Sequence, residues 1–132
     1  MFDDVLGAMH DHGCWFVVVG SVARVLAGAQ GRPHDLDVVI DTSAGGRENL
    51  RRALQDVAAM VETRDGWRPV ERCLSLPWEW GFRVWTTSGQ VDLIAMFIDG
   101  TTIEDHDAHA TSVVLRSGVV VRIHPTRHTE FV

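Results

Sequence analysis

Phe16-Val-Val-Val-Gly20-Ser21-Val-Ala-Arg24-Val-Leu-Ala-Gly28-Ala-Gln-Gly31-Arg32-Pro33-His-Asp35-Leu-Asp37-Val-Val-Ile-Asp41 decides how the rest of the chain is read. Phe16 to Val19 are apolar and β-favouring, the composition of a strand covered on both faces. Gly20-Ser21 stops that strand and opens a short helix with Ala23, Leu26 and Ala27 on its apolar side. Gly28 and Gly31 end the helix, and Arg32-Pro33 forces an extended approach to Asp35. A second strand follows in which Leu36, Val38, Val39 and Ile40 want burial while Asp35 and Asp37 do not. Residues two apart on a strand share a face, so these carboxylates stand roughly 6.5 Å apart at a rise of about 3.3 Å per residue. Leaving both buried and unpaired costs several kcal/mol, which calls for a cation. Arg32 or Arg83 can serve, and so can hard Mg²⁺ or Mn²⁺, which carboxylate oxygens and substrate phosphates hold together.

The 132 residues are 45% hydrophobic, enough for one domain with its own core. No stretch reaches the length of a membrane span, and the acidic N-terminus lacks the pattern of a secretory signal, so the expected location is cytoplasmic. Cys14 and Cys73 have no metal-ligand spacing and read as free thiols. A formal charge of -6 argues against a protein that coats nucleic acid but leaves room for a small nucleotide. Every basic side chain is arginine, so phosphate recognition must rest on guanidinium forks or backbone amides.

Along the chain, Phe2 to Asp11 reads as a helix capped by Gly13, with His10 and His12 on its surface. A helix from Arg47 to Val61 is expected after Gly45-Gly46, its Glu48 pairing with Arg52 on a solvated face. Glu62 to Pro77 is broken by Gly66, Pro69 and Pro77, with one short strand through Val70, Cys73, Leu74 and Leu76. Arg64, Arg68 and Arg72 form no continuous basic stripe there. Trp67, Trp78, Trp80 and Trp85 read as caps on an open sheet edge, with base stacking as the alternative.

Gly81 to Thr87 and Gln90 to Phe97, joined by Ser88-Gly89, form a hairpin whose second strand carries a third misplaced acid, Asp92. If that strand neighbours the one bearing Asp35 and Asp37, three carboxylates surround one small volume. Thr101 or Thr102 caps a short helix through His109, with His106 and His109 solvated. A second hairpin spans Ser112 to Ile123, and a polar tail runs from His124 to Val132.

The order Gly20-Ser21, helix, Asp35-Leu36-Asp37 in a strand and Asp92 in a later strand resembles the minimal nucleotidyltransferases of the DNA polymerase beta superfamily. The nearest likeness is to stand-alone bacterial members that include abortive-infection toxin components. The resemblance implies an α/β (α+β) fold: a nucleotidyltransferase-like mixed sheet of about five strands with helices packed mainly on one side. Relatives of this kind continue into a basic helix after the last hairpin, so residues 1–132 are expected to form one such domain without that helix.

The resemblance further implies that Gly20 and Ser21 sit against a nucleoside triphosphate. It implies two Mg²⁺ (or Mn²⁺) ions on Asp35 and Asp37, with Asp92 sharing the ion beside the acceptor hydroxyl and helping deprotonate it. Arg32 and Arg83, with Arg24 as the alternative, are the expected phosphate contacts. The implied reaction is nucleoside monophosphate transfer, with ATP among the candidate donors, to a hydroxyl of RNA, tRNA, protein or a small molecule. Two other readings use the same residues: an inert binding or regulatory module of a toxin-antitoxin type system, with a protein partner, and a phosphohydrolase in which the acids activate water.

Overall fold

β1 (Phe16–Val19) is buried on both faces along its whole length, as its valines require, and the sheet is built outward from it. A computed structural model describes residues 1–70 and 78–125 of the chain. Around β1 the chain runs α1 (Asp3–Asp11), α2 (Gly20–Leu26), β2 (Asp35–Ile40), α3 (Ala44–Asp56), β3 (Met60–Thr63), β4 (Gly66–Pro69), β5 (Gly81–Thr86), β6 (Gly89–Ile94), α4 (Ile103–Ala108), β7 (Thr111–Val114) and β8 (Val120–Ile123). The strands form one sheet in the order β4-β3-β5-β6-β2-β1-β8-β7. It is mixed: β2 runs parallel to β6 and β1 parallel to β8, while the other neighbours are antiparallel.

Eight strands replace the expected five or so. The excess comes from the two edges. At one, the β7–β8 hairpin joins the sheet through β1, by a single bridge between Val18 and Ile123 and the bond from His124 N–H to the Val18 carbonyl at 2.9 Å. At the other, β3 and β4 form a hairpin where the sequence showed an extended helix and an irregular segment.

That error has a local cause. α3 does not run from Arg47 to Val61: Ser43 caps it, accepting from Gly46 N–H at 3.1 Å, and it ends at Asp56. Its end is a paired closure in which Ala58 N–H reaches the Gln55 carbonyl and Ala59 N–H the Leu54 carbonyl, both at 3.0 Å. The same closure ends α1 at Gly13-Cys14 and α2 at Gly28-Ala29. At α3, however, the left-handed position falls to Ala58, at φ 51°, instead of a glycine. With no glycine to mark the stop, the apolar spacing runs on to Val61, which is in fact a buried strand residue.

One face of the sheet packs Val18, Leu36, Val38, Val84, Val91 and Leu93 against α1, α2 and α3. On the other face, α4 covers only the middle, where Val17, Val19, Val39, Phe97 and Ile103 form a small separate cluster. Thr102 and Asp105 form the capping box that starts α4. Arg122 ties β8 to the end of this helix through Asp107 Oδ1 at 2.6 Å and the Asp107 carbonyl at 3.0 Å. The short strand expected through Cys73, Leu74 and Leu76, together with Arg72 and the tail beyond residue 125, lies outside the described residues. No helix among the described residues is long and apolar enough to cross a membrane.

Candidate active site

Register places the acids. β2 and β6 are parallel neighbours with Asp37 directly opposite Asp92 and Asp35 opposite Gln90, so all three carboxylates share the second sheet face. Val19, the last residue of β1, lies opposite Asp37 on the other side. The next residue, Gly20, turns the chain into α2 at φ +69°, and a Cβ there would sit 2.5 Å from Asp37 Oδ2. Glycine is therefore required twice at this position, for the left-handed turn and for the carboxylate behind it.

The site is short of positive charge. Burial raises the Asp37 carboxyl from 3.8 to about 7, reinforced by the Asp92 charge, by a hydrogen bond with Asp92 and by Asp35; Arg24 opposes the rise. Arg83, across the hairpin on β5, donates from Nε to Asp92 Oδ1 at 2.8 Å and lies 3.9 Å from Glu62 through Nη1. That bond to Asp92 is the main cause of the upward shift of its guanidinium. Asp37 and Asp92 are half-buried and Asp35 is exposed. In this arrangement no three His, Cys, Asp or Glu side chains among the described residues form a ready metal cluster. The donor set still suits a hard divalent cation, because two carboxylates on one face leave room for phosphate oxygens to complete an octahedral shell. The raised pKa of Asp37 reflects the lack of a compensating charge there.

Two cavities lie in this part of the molecule, one lined by the acids and the other by residues that precede them in the chain. Before Asp35, a cavity of about 270 Å³ is lined by Ser21, Arg24, Arg32 and Pro33 among others. Beyond Asp37 and Asp92, a trough of about 370 Å³ is lined by those two acids with Trp80, Ile94, Met96, Phe97 and Ile98. The first is cationic and the second apolar above an acidic floor.

A family model for aminoglycoside-2''-adenylyltransferase matches residues 2–81. The chain belongs to this family. The matched stretch holds Gly20, Ser21, Arg32, Asp35 and Asp37, and stops short of Arg83 and Asp92. Membership in the aminoglycoside-2''-adenylyltransferase family supports the nucleotidyltransferase kind and not the abortive-infection grouping to which the sequence was likened. No curated protein and no solved structure gives a significant match.

The structure thus brings Asp37, Asp92 and Arg83 together, sets Asp35 two residues along the same face, and puts Ser21 and Arg32 in one cavity. Arg24 joins them there, three residues after Ser21 on α2, a helical spacing the sequence shows plainly. Trp80 was read as an edge cap; it is 54% exposed and walls the trough. Trp78 is buried edge-on to Phe82 with the Arg47 guanidinium 5.0 Å from its ring, whereas Trp67 and Trp85 lie exposed 6.4 Å apart on the open face. His106 is not solvated: it is buried beneath Phe97, bonded to Thr101 Oγ1 and to His124 Nδ1, each at 3.0 Å. Cys14 is a free, partly buried thiol packed against the core, and burial pushes its pKa up to about 11, away from reactivity.

Proposed function

We propose that this protein transfers the nucleoside monophosphate of a nucleoside triphosphate, ATP by the family's description, to a hydroxyl acceptor. The observation that carries the reading is Asp37 facing Asp92 across parallel strands, beside a cavity holding Ser21, Arg24 and Arg32. Asp35 and Asp37 would hold a divalent cation, Mg²⁺ or Mn²⁺, which would supply charge neutralisation at the reacting phosphoryl group. The Ser21 hydroxyl and the Arg24 and Arg32 guanidiniums receive the β- and γ-phosphates. Arg83 keeps one Asp92 oxygen fixed through Nε and has Nη1 3.9 Å from Glu62, and it would reach phosphate oxygens through Nη2.

Asp92 takes the proton from the acceptor hydroxyl as its oxygen bonds to the α-phosphorus. The bond from that phosphorus to the bridging oxygen breaks, and pyrophosphate leaves. Catalysis rests on positioning and charge, as expected for phosphoryl chemistry.

The test separates an enzyme from a module that only binds. With Mn²⁺ present, ATP affinity by calorimetry should be lost in Asp37→Asn and largely kept in Asp92→Ala, while Asp92→Ala loses turnover by about 10²- to 10⁴-fold. ATP binding unchanged by Asp37→Asn would falsify the assignment. Binding in the wild type with no pyrophosphate release from any acceptor tried would reduce the protein to a nucleotide-binding module.

A further inference from the structure

We propose that His106 and His124 form a separate metal site, one for a borderline divalent transition-metal ion such as Zn²⁺ and not for the hard ions suited to the acids. Nothing in this site depends on nucleotidyl transfer: its cavity shares no lining residue with the trough of Asp37 and Asp92 or with the cavity of Arg24 and Arg32. The two rings come from different elements. His106 lies in α4, buried with its ring centroid 4.4 Å from that of Phe97. His124 follows the last residue of β8, where its N–H bonds the Val18 carbonyl. The two Nδ1 atoms stand 3.0 Å apart. Two imidazole nitrogens held by one ion at about 2.0–2.1 Å each are separated by about 2.8–3.4 Å for bond angles of about 90–110°. The pair is therefore spaced as two neighbouring ligands.

Hydrogen bonding decides which nitrogen of His106 faces the ion. The Thr101 hydroxyl has one proton and gives it to Asp99 Oδ1 at 2.7 Å, so it accepts from His106 Nε2 at 3.0 Å. With the proton on Nε2, the neutral ring keeps a lone pair on Nδ1, which accepts from Nδ1–H of His124. Such a chain of carboxylate, hydroxyl and imidazole orients a ligating histidine and raises its basicity. As the ion enters, His124 passes to its Nε2–H tautomer and presents its own Nδ1 lone pair, with no net change in protons. Both rings open on a cavity of about 520 Å³ whose wall also carries Asp99, Glu104 and Asp105 and, among the described residues, no arginine. Those carboxylates accept from Thr101 and Thr102, and they supply a negative potential that favours a cation. Among the described residues no group of three ligands converges, so water completes the ion's shell. An ion there ties α4 to the end of β8, a strand that reaches β1 through the single Val18–Ile123 bridge.

Zn²⁺ titrated by calorimetry into the full chain, with excess Mg²⁺ present, should show binding that His124→Gln removes and Asp37→Asn leaves unchanged. Thr101→Val, which releases His106 from its tautomer, should weaken that binding about 10- to 100-fold. Without any substitution, imidazole nitrogen NMR of the metal-free protein should find the proton of His106 on Nε2 and that of His124 on Nδ1. Zn²⁺ should then shift the Nδ1 signals of both rings, and amide exchange at Val121 should slow when the ion is bound. Equal Zn²⁺ affinity in the wild type and His124→Gln would overturn the proposal, as would its loss in Asp37→Asn or Nδ1 signals that Zn²⁺ leaves in place. None of these measurements uses a nucleotide, so failure of ATP to bind strikes at nucleotidyl transfer and leaves this site standing.

Discussion

The two faces of β2 are made from one run of six residues and do opposite things. Leu36, Val38 and Ile40 point into the layer of α1, α2 and α3 and are at most 2% exposed. Asp35, Asp37 and Val39 point the other way, where Val39 is buried by the cluster to which Ile103 of α4 belongs, Asp37 is half-buried and Asp35 is exposed. Stability is concentrated on the first face, and the second is free to hold mutually repelling carboxylates because β2 is already anchored from behind. The acids should therefore tolerate replacement better than the apolar residues between them.

The sharpest way to break that contrast is to cut both faces of the same strand. Leu36→Ala should lower unfolding free energy by about 2–5 kcal/mol, measured by urea titration. Asp37→Asn should fold as well as the wild type and abolish the rise in melting temperature that Mn²⁺ gives, since a ligand bound only to the native state stabilises by mass action. An Asp37→Asn protein that unfolds like Leu36→Ala would show that the acid is a structural partner and the contrast is false.

The same contrast has a pH signature. Asp37 binds its proton more tightly folded than unfolded, its carboxyl moving from 3.8 to about 7. Between those values the native state holds the extra proton, so metal-free stability should fall as pH rises from about 4 to about 7 and level off above. Asp37→Asn should flatten that slope, and Mn²⁺ affinity should climb over the upper part of the same window as the proton leaves.

Gly20→Ala probes the seam between the faces. The alanine Cβ would press on the Asp37 carboxylate and be strained at the left-handed φ of +69°, so a loss of about 1–3 kcal/mol is expected together with loss of the Mn²⁺ response. Loss of stability with the metal response intact would mean that the close approach does not set the carboxylate's position.

The smallest effect compares one turn built twice. Thr63 Oγ1 donates to the Gly66 carbonyl at 2.7 Å and accepts from Asp65 N–H at 3.2 Å; Thr86 does the same with Gly89 and Ser88 at 2.9 and 3.2 Å. Thr86 is buried and Thr63 lies at the solvated edge. Thr86→Val should cost about 1–2 kcal/mol and Thr63→Val less than about 0.5, because water replaces the lost bonds only at the edge. Equal costs would mean that position in the sheet does not weight the turn.

What the sequence showed of all this follows the strength of local conflict. Acids among valines are an anomaly that propensity alone does not produce, so Asp35, Asp37 and Asp92 stand out, and parallel pairing of their strands brings them onto one face. The β5–β6 hairpin was legible because apolar runs flank its turn. The β3–β4 turn, with the same hydrogen bonds, was not, since its strands contain Glu62, Arg68 and Pro69 and its entrance was hidden behind the alanine that ends α3. His106 was read as solvated because its neighbours in sequence are acids, while its burial comes from Phe97 and from His124, eighteen residues away. Trp80 follows the same rule: nothing beside it in sequence says that Ile94 and Ile98 will stand across from it.

The single bridge between β1 and β8 divides the molecule's cooperativity. β2 shares five registered positions with β6 and four with β1, so amides along that seam open only when the whole sheet does. The β7–β8 hairpin has its own four-position ladder but only that one bridge to β1, and is otherwise held by Val121 and Ile123 in the main core and by Arg122 to Asp107 and His106 to His124. It is built to detach as a unit: in native-state hydrogen exchange, Val113 and Val121 amides should exchange together and well before those of Val38 and Leu93, leaving the strands that carry the acids paired while this edge comes away.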